Sequence, residues 1–187
     1  MSLSREEAFA LLNQYVKNER MINHCLASEA VMRALARKLG RDEEKWGIAG
    51  LLHDLDVEIV NADLAVHGLE AEKILKEKNV DPEIIDAIKM HNETAAGAPR
   101  STEFQHALAA GETITGLIVA VALVYPDKRL KSVKPSSVAK RMKEAHFART
   151  VNREHIMLCE RLGLSLPEFI EVSLAAMAAI DRELGLA

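Results

Sequence analysis

The chain has 187 residues, 49% of them hydrophobic and 28% charged, which is enough length and an ordinary enough composition for a globular domain with a real core. A formal net charge of -4 gives no reason to expect nucleic acid or an anionic membrane as partner. Two cysteines, Cys25 and Cys159, lack CxxC spacing and cannot build a disulfide framework, so a reducing, cytoplasmic setting is expected.

Ser4-Arg-Glu-Glu7 is a capping box that predicts a first helix to about Lys17, and this polar start does not read as a signal peptide. A second helix is predicted from about Arg20 to Leu39, with Ile22, Leu26, Ala30, Met32 and Leu35 on an apolar stripe and Gly40 closing it. Asp42 caps a third, Glu43 to about Leu55, and after a loop with Asn61 and Asp63 a fourth covers about Val66 to Lys78. Asp81-Pro82-Glu83 starts a fifth, to about His91, because proline suits the first helical position. Thr94–Ser101, with Gly97 and Pro99, is the clearest loop, and a long helix follows to Tyr125, where Pro126 stops it.

Ser136 and Ser137 begin a short basic helix, Val151–Leu162 gives another, and Leu166-Pro167-Glu168 opens a last one to about Leu184. Ala107 to Tyr125 is nearly all apolar but is interrupted by Glu112, and a buried core helix fits it better than a membrane span. Alternating patterns and tight hairpin turns are absent, so the fold class is all-α.

Four of the seven histidines, His24, His53, His67 and His91, precede or sit in apolar helical context. His53 and Asp54 end the run Ile48-Ala-Gly-Leu-Leu52. Adjacent residues on a helix diverge by about 100°, so the pair holds one ion only over the groove between them, with donors from other helices. The second and sixth helices offer His24 and Glu112. Glu112 stands among small and apolar residues, where an ionised carboxylate is costly without a cation or metal beside it. Imidazoles with carboxylates suit Mn, Fe, Co, Ni or Zn. Each residue also has a plainer reading: a satisfied core histidine at 24, a helix-end histidine beside a solvated acid at 53 and 54, a helix edge at 112.

Taken together, His24, Ala49-Gly-Leu-Leu-His-Asp54, His67-Gly-Leu-Glu-Ala-Glu-Lys-Ile-Leu75, Ile88-Lys-Met-His-Asn-Glu93 and Ala109–Ile118 resemble the HD superfamily of metal-dependent phosphohydrolases. Phe147-Ala-Arg-Thr-Val-Asn-Arg-Glu154 is similar to one of its uncharacterised families of predicted hydrolases. The resemblance implies a helical bundle over 1–187, with a core at about 20–125 and a C-terminal extension at about 126–187. It implies metal ligands at His24, His53, Asp54 and Glu112, with Asp54 also catalytic. The last ligand is usually Asp, so Glu112 is one methylene longer, and the glycine of the common HD-x-G form is here Asp56. Asp56 and Glu58 read either as supporting or water-activating acids or as solvated loop acids.

His67 and His91 resemble the extra histidines of the two-metal branch, in which Asp54 would bridge two ions. Their alternatives are a solvent-facing histidine and a helix cap. The implied activity is hydrolysis of a small phosphate ester, a nucleotide among the candidates, by metal-activated water. A di-iron oxygenase on the same ligands and a non-catalytic metal-binding helical domain are the alternatives. From Pro126 to Arg153 nine Lys or Arg stand against two acids, so Arg149 and Arg153 are either clamps for substrate phosphate or part of a solvated basic face. Few aromatics, 4%, leave little to stack on bases.

Overall fold

The computed structural model describes residues 3–187, and among these the chain is all-helical, with no strand. Ten α-helices follow in chain order: α1 Arg5–Tyr15, α2 Glu19–Leu39, α3 Glu43–Leu52, α4 Leu69–Glu77, α5 Pro82–Met90, α6 Glu93–Ala96, α7 Glu103–Val124, α8 Pro135–Met142, α9 Arg153–Met157 and α10 Leu166–Ala179. Two 3-10 turns, Leu130–Ser132 and Leu158–Leu162, complete the set.

The expected starts after Ser4, Asp42 and Asp81 are the observed ones. Ser4, Asp42 and Asp81 each accept a hydrogen bond from a first-turn N–H. Gly40 closes α2 in the left-handed conformation, φ 66°. The expected ends differ more. The third helix stops at Leu52 rather than about Leu55, and the fourth starts at Leu69 rather than Val66, because Gly68 at φ 93° turns the chain just before it. Inside the Thr94–Ser101 loop, residues through Ala96 complete the single turn of α6. The segment expected as one helix over 151–162 is α9 continued by a 3-10 turn, and the last helix ends at Ala179, not near Leu184.

The apolar α7 is the central helix. Its residues from Ala107 to Gly111, Thr113 to Thr115 and on to Ala122 are largely buried, so the core accounts for its composition. By length and composition alone it could cross a bilayer, as buried core helices often can. Around it pack α2, α3, α5, α8, α9 and α10, with α10 also packed on α2. One hydrophobic core runs from Ala8 to Leu186 and so includes the C-terminal extension. The tightest approach lies between α2 and α3: a Cβ on Gly50 would fall 2.6 Å from the Ser28 carbonyl oxygen. That backbone contact brings the end of α3 beside the first turns of α2, and places His53 against His24.

Candidate metal centre

Five elements each deliver donors to one buried cluster. His24 comes from α2 and Glu112 from the middle of α7. His53 is the C-cap of α3 with Asp54 next to it, His91 is the C-cap of α5, and His67 stands just before α4. The C-terminal ends of α3 and α5 thus meet at the cluster, and their partial negative charge favours a cation there. The donors fall into two groups, His24 with His53 and Glu112, and Asp54 with His67 and His91. Within each group the candidate ligand atoms lie within 4.8 Å of one another.

The hydrogen bonds at each Nδ1 determine what the rings show to the centre. His53 Nδ1 is 2.9 Å from the Gly50 carbonyl oxygen, and His91 Nδ1 bonds the Ile88 carbonyl oxygen. A carbonyl only accepts, so both Nδ1 atoms carry hydrogen and both Nε2 atoms present lone pairs. The Thr115 hydroxyl donates to the Glu112 carbonyl oxygen at 2.6 Å, which leaves its oxygen to accept from His24 Nδ1 at 3.0 Å. His67 Nδ1 donates to Asp56 Oδ1 at 2.8 Å. Two Nε2 lone pairs therefore face each other where His24 lies 3.1 Å from His53, while His67 Nε2 lies 3.0 Å both from His91 Nε2 and from Asp54 Oδ1.

The carboxylates complete the picture. Asp54 Oδ2 lies 3.4 Å from His53 Nε2 and 3.6 Å from His24 Nε2, while Oδ1 lies 3.0 Å from His67 Nε2 and 3.7 Å from His91 Nε2. Glu112 Oε2 is 3.8 Å from His24 Nε2. Burial lowers the pKa of His53 to about 4 and, with the neighbouring His53 and His67, that of His91 to about 3; burial lowers His24 as well. Burial, reinforced by the Asp54 charge, pushes Glu112 up to about 8. Against its own burial, Asp54 is held well below the usual carboxylate range by His53 and by the hydrogen bond from His67. Burial also opposes charge on His67, but hydrogen bonds to Asp54 and Asp56 win and raise it to about 10.

The facing lone pairs of His24 and His53 and a buried carboxyl forced towards neutrality are relieved by a positive ion with vacant orbitals. The donor set fits a divalent transition metal.

Asp56, which in sequence also reads as a solvated loop acid, is fully buried. Its Oδ1 accepts from His67 and its Oδ2 accepts from the N–H groups of Gly68 and Ala71. Glu58 is different: it accepts from the Lys17 and Asn18 N–H groups and ties the turn between α1 and α2. His67 and His91 are buried too, at 6% and 7% exposure, so His67 does not face solvent, while His91 is both the cap of α5 that its plainer reading expected and a member of the cluster.

The arginine expectation needs correction. The Arg153 guanidinium is spent on backbone, donating to the Ala148 and Val151 carbonyls at 2.6 and 2.8 Å and also to the Phe147 carbonyl. Its ends are therefore not free to clamp a phosphate. Arg149 is exposed, and neither residue lines the cavity of about 420 Å³ over the cluster. That cavity is lined instead by Arg100, Asn152 and His155, among others. Sequence reasoning missed all three. Arg100 donates to the Met90 and His91 carbonyls and pairs with Glu93 at 3.1 Å, so it fixes the end of α5 that carries His91. Only its position in a glycine- and proline-containing loop next to the histidine motif hinted at this.

The bundle brings four imidazoles and two carboxylates into one cluster that could hold a metal ion. Residues 21–125, more than half of the chain, match the HD domain family, and the chain belongs to that family. All six candidate ligands fall within the matched stretch. No solved structure matches the chain.

Proposed function

We propose that the protein is a metal-dependent phosphohydrolase acting on a small phosphate ester, with two divalent ions held at the cluster. His24, His53 and Glu112 would hold one, His67 and His91 the other, and Asp54 both. The observation that carries this reading is the orientation of Asp54, whose two oxygens face different histidine pairs. Divalent ions at such a site supply a lowered pKa for bound water and a positive counter-charge for a phosphoryl group.

The chain's own residues do the rest. Gly50, Ile88, Thr115 and Asp56 hold the four rings in one tautomer, with Nε2 turned inward. Arg100, 3% exposed and engaged with the Met90 and His91 carbonyls and with Glu93, holds the cavity wall and the His91 end of α5 in place. His67 is the proton carrier of the metal-free cluster, and loading it releases that proton. The free, buried thiols of Cys25 and Cys159 support a reducing compartment such as the cytoplasm.

The test is element-resolved metal content of protein purified without chelator or affinity tag, followed by phosphate release from a panel of esters. About two ions per chain with phosphate release is the expected result. Alanine at His53 or Asp54 should abolish both. Full metal occupancy in those variants would remove the pair from the ligand set, and iron at a ratio near two with dioxygen consumption would replace hydrolysis by oxygenase chemistry.

A further inference from the structure

The wall of the cavity opposite the metal-binding cluster comes from outside the family's matched stretch, where α9 packs on α7. Asn152 caps α9, its Oδ1 accepting from the N–H groups of Glu154 at 2.9 Å and His155 at 3.4 Å. The cap fixes that side chain and leaves its NH2 group free to donate. His155, half-buried on the next turn, has no hydrogen bond to either ring nitrogen among the described residues. Burial and the Arg100 charge lower its pKa, so at neutral pH it offers one N–H and one lone pair. Apart from Leu64, every residue lining the cavity is polar or charged.

The segment is also held on purpose-built terms. Arg153 stands between the two residues and ties the preceding loop through the Phe147, Ala148 and Val151 carbonyls. It is a positioning residue.

Building on the phosphohydrolase reading, we propose that Asn152 and His155 recognise hydroxyl groups on the alcohol part of the substrate, which is therefore a polyol or sugar phosphate rather than an aryl or alkyl phosphate. A hydroxyl both donates and accepts, and a neutral imidazole beside an amide matches it on both counts. A site built to bond a hydroxyl also discriminates strongly against analogues that lack one, since its own polar groups are then left without partners.

The experiment measures equilibrium binding of two non-hydrolysable probes to the metal-loaded protein: the methylenephosphonate analogue of ribose 5-phosphate, and benzylphosphonate. The wild type should prefer the sugar probe by about tenfold or more. His155→Phe keeps the ring's bulk and should lose about tenfold of the sugar affinity, with benzylphosphonate changed by less than about threefold. His155→Gln should recover part of the loss. Asn152→Asp keeps the cap and removes the donor, and should also weaken the sugar probe selectively. Metal content serves as the folding control, and the Gln and Asp variants carry the test if the Phe variant loses metal.

A wild type without preference, or a preference unchanged in the variants, overturns the proposal. A His155-dependent preference in a protein that releases phosphate from no ester would leave it standing and remove the hydrolase reading instead.

Discussion

Glu112→Gln changes one oxygen for a nitrogen at constant shape, and the sign of its effect depends on whether metal is bound. In the metal-free protein burial and the Asp54 charge raise the carboxyl from 4.5 to about 8. A raised folded-state pKa means stability that is fully present below about 4.5 and lost as pH rises towards 8. At pH 7 the loss covers about 2.5 pH units at about 1.4 kcal/mol each, on the order of 3 kcal/mol. The side chain is only 17% exposed, so solvent screening removes little of it.

Glutamine has no such proton, so the metal-free variant should melt higher at pH 7, by on the order of 5–10 °C for a chain of this length, and near the wild type at pH 5. With metal the order reverses, because the wild-type carboxylate is then paired, and the variant's metal affinity should fall by roughly tenfold or more. Calorimetry at both pH values, with chelator and with Mn²⁺, reads all four states. If the two proteins melt together in chelator at pH 7 and bind metal equally well, Glu112 does not share the cluster's electrostatics and the ligand assignment fails.

The double variant of His67 and His91 to alanine should fall from about two ions to about one while remaining folded, measured by metal content and circular dichroism; an unchanged ratio would reject the second site. Arg153→Ala should destabilise by on the order of 1.5–3 kcal/mol in chemical denaturation, since it leaves several carbonyls without a charged donor, whereas Arg149→Ala should stay within about 0.5 kcal/mol and leave kcat/KM within about threefold. The pKa of metal-free His53 and His91 is depressed to about 4 and about 3, so the stability they contribute is present above 6.5 and lost as pH falls through those values. Glu112 and His67, both raised, act in the opposite sense. The two histidines outweigh Glu112 up to about 6.5, and Glu112 and His67 act alone above it. Melting of the metal-free protein should therefore peak at about pH 6.5, and a monotonic rise to pH 8 would contradict the Glu112 environment.

The legible parts of the chain were those where one residue does one local job. Ser4, Asp42 and Asp81 start helices by accepting an N–H from their own next turn, so their role is visible in a four-residue window. The family was legible through the spacing of the histidine and aspartate motif, and the match over 21–125 bears out the family. What was not legible depends on partners far away in sequence. Arg153 looked like a phosphate clamp because sequence shows its charge but not the carbonyls that the loop from Arg141 to Val151 folds around it. His155 carried no motif, and only the packing of α9 on α7 brings it to the cavity. The early end of α3 at Leu52 was hidden for a similar reason: Leu55 keeps the helical spacing of the apolar positions, but it is buried in the turns that follow α3 and carry Asp54 into the cluster.

Asp56 shows how a departure from the common pattern is absorbed. A glycine in the HD-x-G form contributes flexibility, whereas an aspartate at that point brings a charge into a fully buried position, which is unfavourable unless every lone pair is used. Here they are used three ways. Gly68, the residue before α4, has no side chain with which to cap the helix, and Asp56 Oδ2 takes over by accepting from the Gly68 and Ala71 N–H groups across the turn. The positive end of α4 therefore helps to hold Asp56 ionised, below its ordinary pKa despite its burial. Its other oxygen fixes the Nδ1 proton of His67, which leaves Nε2 directed at Asp54. One acid thus couples the start of α4 to the orientation of a candidate ligand, so the geometry at His67 is set by helix formation rather than by the ion alone.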